Sequence, residues 1–172
     1  MQLHQVSYGQ EVQDEHFEVN HEPDFSRHQI TFVVGYSWVP NSIETAGGSE
    51  TIVIPTLGAE YNYWFTHKLS LKVINELELS RYFVEQSEGN LLEREFKYII
   101  AATAFYEPLK HIGVFAGPGY EYEVHKSFPV VKAGFEIFKN IEHIWAFGLS
   151  FSTTINEEYI TYSSGLFVAK KF

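Results

Sequence analysis

The sequence predicts an all-β fold, a single eight-stranded antiparallel up-and-down barrel, and three observations predict it. From His28 onward, apolar and polar residues alternate with period two, the pattern of strands that present two different faces. The apolar face is crowded with aromatic rings, while the other is mostly Gly, Ala, Ser and Thr with a few Glu and Lys. No stretch reads as a helix, and none approaches the ~18 to 20 apolar residues of a membrane-crossing helix.

The runs follow one another in order. The first sets Ile30, Phe32, Val34, Tyr36 and Trp38 against Thr31, Val33, Gly35 and Ser37. The second sets Val53, Leu57, Ala59, Tyr61 and Tyr63 against Ile54, Thr56, Gly58, Glu60 and Asn62. The third carries Leu69, Leu71, Val73, Leu77 and Leu79 opposite Ser70, Lys72, Glu76, Glu78 and Ser80. The fourth carries Phe96, Tyr98, Ile100, Ala102, Ala104 and Tyr106 opposite Glu95, Lys97, Ala101 and Thr103. In the fifth, Ile112, Val114, Ala116, Tyr120 and Tyr122 oppose Gly113, Gly117, Gly119 and Glu121. In the sixth, Val131, Ala133, Phe135 and Ile137 oppose Lys132, Gly134 and Glu136. Trp145, Phe147, Leu149 and Phe151 against Ala146, Gly148, Ser150 and Ser152 make the seventh. Leu166, Val168 and Phe172 against Ser163, Gly165, Ala169 and Lys171 make the eighth.

Some residues break the pattern. Asn75 and Lys170 fall on apolar faces, and Ile74, Phe115 and Phe167 on polar ones. Pro55 and Pro118 lie inside runs, where each removes a ladder donor and suggests an edge or a bulge. The links near 40–50 and 84–92 are long and rich in Gly, Ser, Glu and Asn, and read as loops. Those near 65–68, 107–111 and 139–142 are tight, and those near 123–127 and 155–159 are short. Residues 1–27 show no periodicity and carry His4, Asp14, Glu15, His16, Glu18, His21 and Asp24, so they read as a flexible polar segment ahead of a barrel domain at 28–172.

Alternation does not say which face looks inward, but volume does. An eight-stranded barrel has an interior just wide enough for side chains to fill. Phe32, Tyr36, Trp38, Tyr61, Tyr63, Phe96, Tyr98, Tyr106, Phe135, Trp145, Phe147 and Phe151 hold too much ring volume for it. The rings therefore point out, into hydrocarbon, and the small residues point in. Glu60, Lys72, Glu76, Lys97, Glu121, Lys132 and Glu136 then share the lumen, where each charge needs a partner. With His28 on the periplasmic side, Tyr63, Tyr106, Trp145 and Phe172 fall near one rim and Trp38, Phe83, Tyr122 and Tyr162 near the other, as two aromatic girdles. A soluble lipocalin-like barrel that binds a small ligand is the alternative, with the apolar face as its pocket.

The bulk numbers narrow the function. A length of 172 residues fits one domain. A net charge of −10 argues against nucleic acid as a partner. Without cysteine there are neither disulfides nor thiolate metal sites. The polar start is no signal peptide, so an export signal is expected to have been removed.

The chain ends in Phe172, preceded at alternating positions by Lys170, Val168 and Leu166. Apart from Lys170, this resembles the carboxy-terminal signature that outer-membrane barrels present to their assembly machinery. The segments VVKAGFEIF (130–138), VFAGPGYEYE (114–123), IPTLGAEYNYWF (54–65) and LEREFKYII (92–100) also resemble strands of small bacterial outer-membrane barrels. The resemblance covers about residues 28–172 and implies an OmpA-like barrel in a Gram-negative outer membrane. It implies no catalytic residues.

Candidate chemistry is sparse. His125 and Ser127 have the His-x-Ser spacing of outer-membrane lipid A deacylases, and with Glu136 they suggest an acyl hydrolase. The residues around them do not match that motif, and a polar link between strands explains the pair better. The inward carboxylates suggest an acid pair or a cation site, against a salt-bridge plug formed with the lysines. Arg81 and Arg94 flank the long link on the apolar face and suggest a site for lipopolysaccharide phosphates. The early histidines match no metal-ligand spacing, and GPG at 117–119 opens no helix. No cofactor or metal is expected. The expected function is a structural or surface-contact role for a monomeric outer-membrane barrel with a closed polar lumen, the loops at 40–50 and 84–92 forming the contact surface.

Overall fold

The computed structural model describes residues 26–43, 50–85, 91–123, 126–141 and 144–172. Among them ten strands form one antiparallel sheet. They are β1 (His28–Ile43), β2 (Glu50–Trp64), β3 (Leu69–Glu78), β4 (Arg81–Glu85), β5 (Leu91–Glu95), β6 (Tyr98–Leu109), β7 (Ile112–Tyr122), β8 (Phe128–Ile141), β9 (Trp145–Ile155) and β10 (Ile160–Lys171).

Each barrel strand pairs with its neighbour in sequence, in the order β1, β2, β3, β6, β7, β8, β9, β10. The ring closes through β1 and β10, paired from Gln29↔Lys171 to Trp38↔Tyr162. His28 and Phe172 add one reciprocal pair of backbone hydrogen bonds at the end of this seam, 2.9 and 3.3 Å long. Closure gives each of the eight barrel strands a neighbour on both sides, the condition for crossing hydrocarbon with strands.

The prolines sit in the ladders rather than at a sheet edge. Pro55 stays in register opposite Tyr36, in a stretch of β1–β2 without a bulge. Pro118 pairs with Val131, while the β6–β7 ladder omits Gly117 and Pro118 between Ala101↔Gly119 and Ala104↔Ala116. One missing donor therefore interrupts one ladder locally.

The long link at 84–92 is not a simple loop. Its flanks form the hairpin β4–β5, in register from Arg81↔Glu95 to Glu85↔Leu91. The hairpin leaves the barrel between β3 and β6 yet reaches the far edge of β1, at Ser42↔Val84 and Ile43↔Phe83. It therefore lies across the mouth at the end away from the termini. Phe83 belongs to this hairpin rather than to the barrel rim.

The faces divide as volume requires. Phe32 is 66% exposed, Leu166 63% and Phe172 57%, and the other outward rings are exposed or half-buried. Inside, Trp64, Phe105, Phe115, Phe138 and Phe167 gather with Ile74, Ala101, Ala146 and Ala169 into a buried cluster toward the terminal end. Trp64 and Phe105 meet edge to face, with centroids 5.6 Å apart. Phe115 and Phe167, which break the alternation, break it because they belong to this cluster. Gly113 makes the space: a Cβ there would stand 2.1 Å from Cζ of Phe105. The soluble-barrel alternative fails here, because the apolar strand faces form the outside of the barrel and not a pocket.

Candidate functional site

The lumen holds the densest chemistry, in two tiers above the aromatic cluster. In the middle tier, Lys72 on β3 is fully buried and holds Glu60 of β2 at 2.9 Å and, on the other side, Glu136 of β8. Its ammonium also lies 4.6 Å from the Phe105 ring centroid and 5.0 Å from that of Phe115. Lys132 of β8 holds Glu76 of β3 at 2.9 Å and donates to Thr154 Oγ1 at 3.2 Å. Each charge has a neighbour of opposite sign, as burial in a narrow lumen demands. The space between is a cavity of about 20 Å³ touching Thr56, Glu60, Glu76, Lys132, Ser150 and Ser163. That is room for about one water molecule.

The upper tier lies under the hairpin. Lys97 bonds Glu78 at 2.8 Å, faces Glu121 at 3.6 Å and reaches Thr161 Oγ1 at 3.5 Å. Arg94 of β5 is fully buried and forms ion pairs with Glu121 and Glu123. It also donates to the Lys126 carbonyl at 2.7 Å. The Tyr159 hydroxyl donates to Glu121 at 2.6 Å. Burial pushes the Tyr159 phenol well above its ordinary range, Arg94 partly opposing it, so the group stays a donor.

The sequence placed Arg94 on the lipid-facing side, and the structure corrects this. Phe96 has φ of +47°, a left-handed conformation that costs a bulky residue about 1–2 kcal/mol. This kink resets the alternation. Arg94 and Lys97, three positions apart, both point inward, and Phe96 points out, 58% exposed. Arg81 stays exposed and pairs with Glu93 at 3.6 Å and with Glu95. The two arginines are near each other along the hairpin but on opposite faces, so they do not form one phosphate clamp.

The other candidates separate. His125 lies outside the described residues. Ser127 bonds the Glu123 backbone, its Oγ receiving the amide proton at 3.4 Å. Glu136 lies in the middle tier on Lys72, roughly 30 Å along an extended strand from Ser127. No triad geometry joins Ser127 to Glu136. Among the described residues no cluster of three His, Cys, Asp or Glu side chains is arranged to hold a metal ion.

The girdles are partly visible. At the terminal rim His28 stacks on Phe172 at 5.8 Å, meets Tyr63 edge-on at 5.5 Å and shares a 2.6 Å hydrogen bond with the Tyr61 hydroxyl. Lys170, the departure from the terminal signature, lies 5.3 Å from the Trp145 ring centroid. At the other rim Tyr122 meets Tyr120 at 4.7 Å and Tyr98 at 6.3 Å. Asn75, outward among apolar neighbours, accepts from the Tyr98 hydroxyl at 2.6 Å and donates to the Ala59 carbonyl at 3.3 Å.

A closed eight-stranded barrel with rings outside and ions inside defines a class, the small transmembrane β-barrels. The structure is similar to the amino-terminal barrel domain of Pseudomonas aeruginosa OprF, at TM-score 0.59 and 10% identity, over 86% of this chain and 98% of that one. It is equally similar to Neisserial surface protein A, at TM-score 0.59 and 9% identity over 86% and 98%. Ail, the attachment invasion locus protein of Yersinia pestis, solved with the heparin analogue sucrose octasulfate, matches at 0.53 and 12% over 85% and 99%. At such identities the likeness speaks for the fold: this chain has the fold of the small outer-membrane barrels. No protein-family model matches the chain, and no curated protein matches it significantly.

Proposed function

We propose that this protein is a monomeric integral barrel of a Gram-negative outer membrane, with a structural and surface-contact role and a sealed lumen. The observation that carries the proposal is the filled interior. An aromatic cluster closes the terminal half, ion pairs fill the middle, and a hairpin pinned by Arg94 covers the mouth. The cavity in the middle tier holds about 20 Å³, too little for a water file.

In this reading the terminal end faces the periplasm, and the assembly machinery reads Phe172 there. The mouth faces outward, and the connections at 40–50 and 84–92 meet partners. Outer-leaflet lipid and lipopolysaccharide cover the ring-bearing face, with the exposed Arg81 as a cation for their phosphates. An acyl hydrolase gains no support, because Ser127 bonds the Glu123 backbone while Glu136 lies far along β8 on Lys72.

Single-molecule conductance in planar bilayers tests the seal. The proposal expects insertion without conductance steps, and stable steps of fixed size at low voltage would refute it.

A further inference from the structure

The surroundings of Arg94 are those of a receptor site. Glu121 and Glu123 take the guanidinium from two sides, and the Lys126 carbonyl takes a third position at 2.7 Å. The Phe128 and Tyr159 ring centroids lie 5.2 and 5.7 Å from its central carbon. Two carboxylates, a carbonyl and two rings around one planar cation match the fork and the face of a guanidinium. The acceptors are divided between two nitrogens of the fork, Glu121 on one and Glu123 with the Lys126 carbonyl on the other, a spacing that one ammonium nitrogen does not reproduce.

The occupant comes from the hairpin, and among the described residues the ties that hold the hairpin to the barrel besides Arg94 are few. Among the described residues its register pairs with β1 are Ser42↔Val84 and Ile43↔Phe83. Beyond Arg94, the Glu95 amide donates to the Glu123 carboxylate at 2.5 Å. The strained Phe96 stands at the base as a bend. If the hairpin lifts, Lys97 still has Glu78, and Glu121 keeps Tyr159 and Lys97. The Arg94 cation is lost, and two carboxylates at the mouth then lack their guanidinium.

From this we infer a guanidinium-binding cage at the outer mouth, formed by Glu121, Glu123, Phe128, Tyr159 and the Lys126 carbonyl. Arg94 is its resident, intramolecular ligand. Its external ligand is an arginine side chain of a basic polypeptide, which competes with Arg94 and displaces the hairpin. The chain's net charge of −10 favours approach of such a partner. This deepens the surface-contact part of the proposed function and does not depend on the seal.

The test uses the whole protein in micelles. R94A should have a lower urea midpoint, and methylguanidinium should restore it where methylammonium does not. Fluorescent hexa-arginine should bind R94A at least about tenfold more tightly than wild type, because the competing resident is gone. The double variant R94A/E123Q should lose that gain. A folded R94A that methylguanidinium fails to restore, or that binds hexa-arginine no better than wild type, overturns the cage.

Should R94A fail to fold, the wild type decides. Arg94 is one of three arginines, so its side-chain NMR signal can be assigned. Saturating hexa-arginine should move that signal to the position of free arginine, and hexa-lysine should not. A signal unmoved by hexa-arginine refutes displacement. A barrel that conducts yet passes these tests would sink the seal and leave the cage standing.

Discussion

At the residue scale, the lumen is governed by the rule that a buried charge needs a partner. Lys72 serves two carboxylates, so Lys72→Ala leaves Glu60 and Glu136 buried without their cation. We expect a loss of about 3–5 kcal/mol in unfolding free energy, the usual cost of breaking a buried pair. Replacing all three residues together with neutral side chains of similar volume should recover most of it, and urea titration in micelles reads both. Gly113 gives the steric counterpart. An added methyl meets the Phe105 ring inside the packed cluster, so Gly113→Ala should cost about 1–3 kcal/mol by overpacking. Glu60, Lys72, Glu76, Glu78, Lys97, Glu121, Lys132 and Glu136 were legible as inward from alternation alone, whereas Glu123, in the link after β7, was not. Arg94 was not, because one left-handed residue at Phe96 inverted the parity before it. A positive φ at a phenylalanine leaves no sequence signature; glycine or asparagine there would have given one.

At the element scale, the eight barrel strands were legible because their two faces meet different media. Hydrocarbon outside and a narrow lumen inside impose strict alternation over long runs. The hairpin β4–β5 has no such contrast. Its strands are five residues each, and RYFVE and LLERE lie in a polar stretch that resembles a loop. Its fixed position comes from tertiary pairing with β1 and from the Arg94 ion pairs, which local sequence does not reveal. If Arg94 pins it, R94A should release the hairpin and leave the barrel intact. Hydrogen exchange should show much faster exchange of the amides in 91–95, with those of β6 and β7 rising only by the smaller factor that the shift in urea midpoint sets. Equal loss of protection in all three would mean that Arg94 stabilises the barrel as a whole.

At the scale of the whole molecule, the barrel is closed in two independent ways. Among the described residues the aromatic cluster toward the termini includes none from the hairpin, so opening the mouth alone makes no pore. R94A should therefore remain non-conducting in planar bilayers even with its hairpin free. The sequence predicted the closure through charges but not the ring cluster, since Trp64, Phe105 and Phe138 lie at or beyond the ends of the alternating runs or were not assigned to a face. Residue types alone could not separate inward rings from outward ones; the register of neighbouring strands does.

The central claim is the assignment of faces, and the absence of cysteine makes it directly measurable. A single cysteine carrying a nitroxide label is placed in turn at Val34, Phe147 and Leu166, and the protein is reconstituted in bilayers. Collisions with oxygen, which concentrates in hydrocarbon, are compared with collisions with a water-soluble nickel chelate. The outward assignment predicts labels open to oxygen and shielded from the chelate at all three positions. Labels at those positions that meet the chelate as freely as one at the exposed turn residue Lys68 would contradict it.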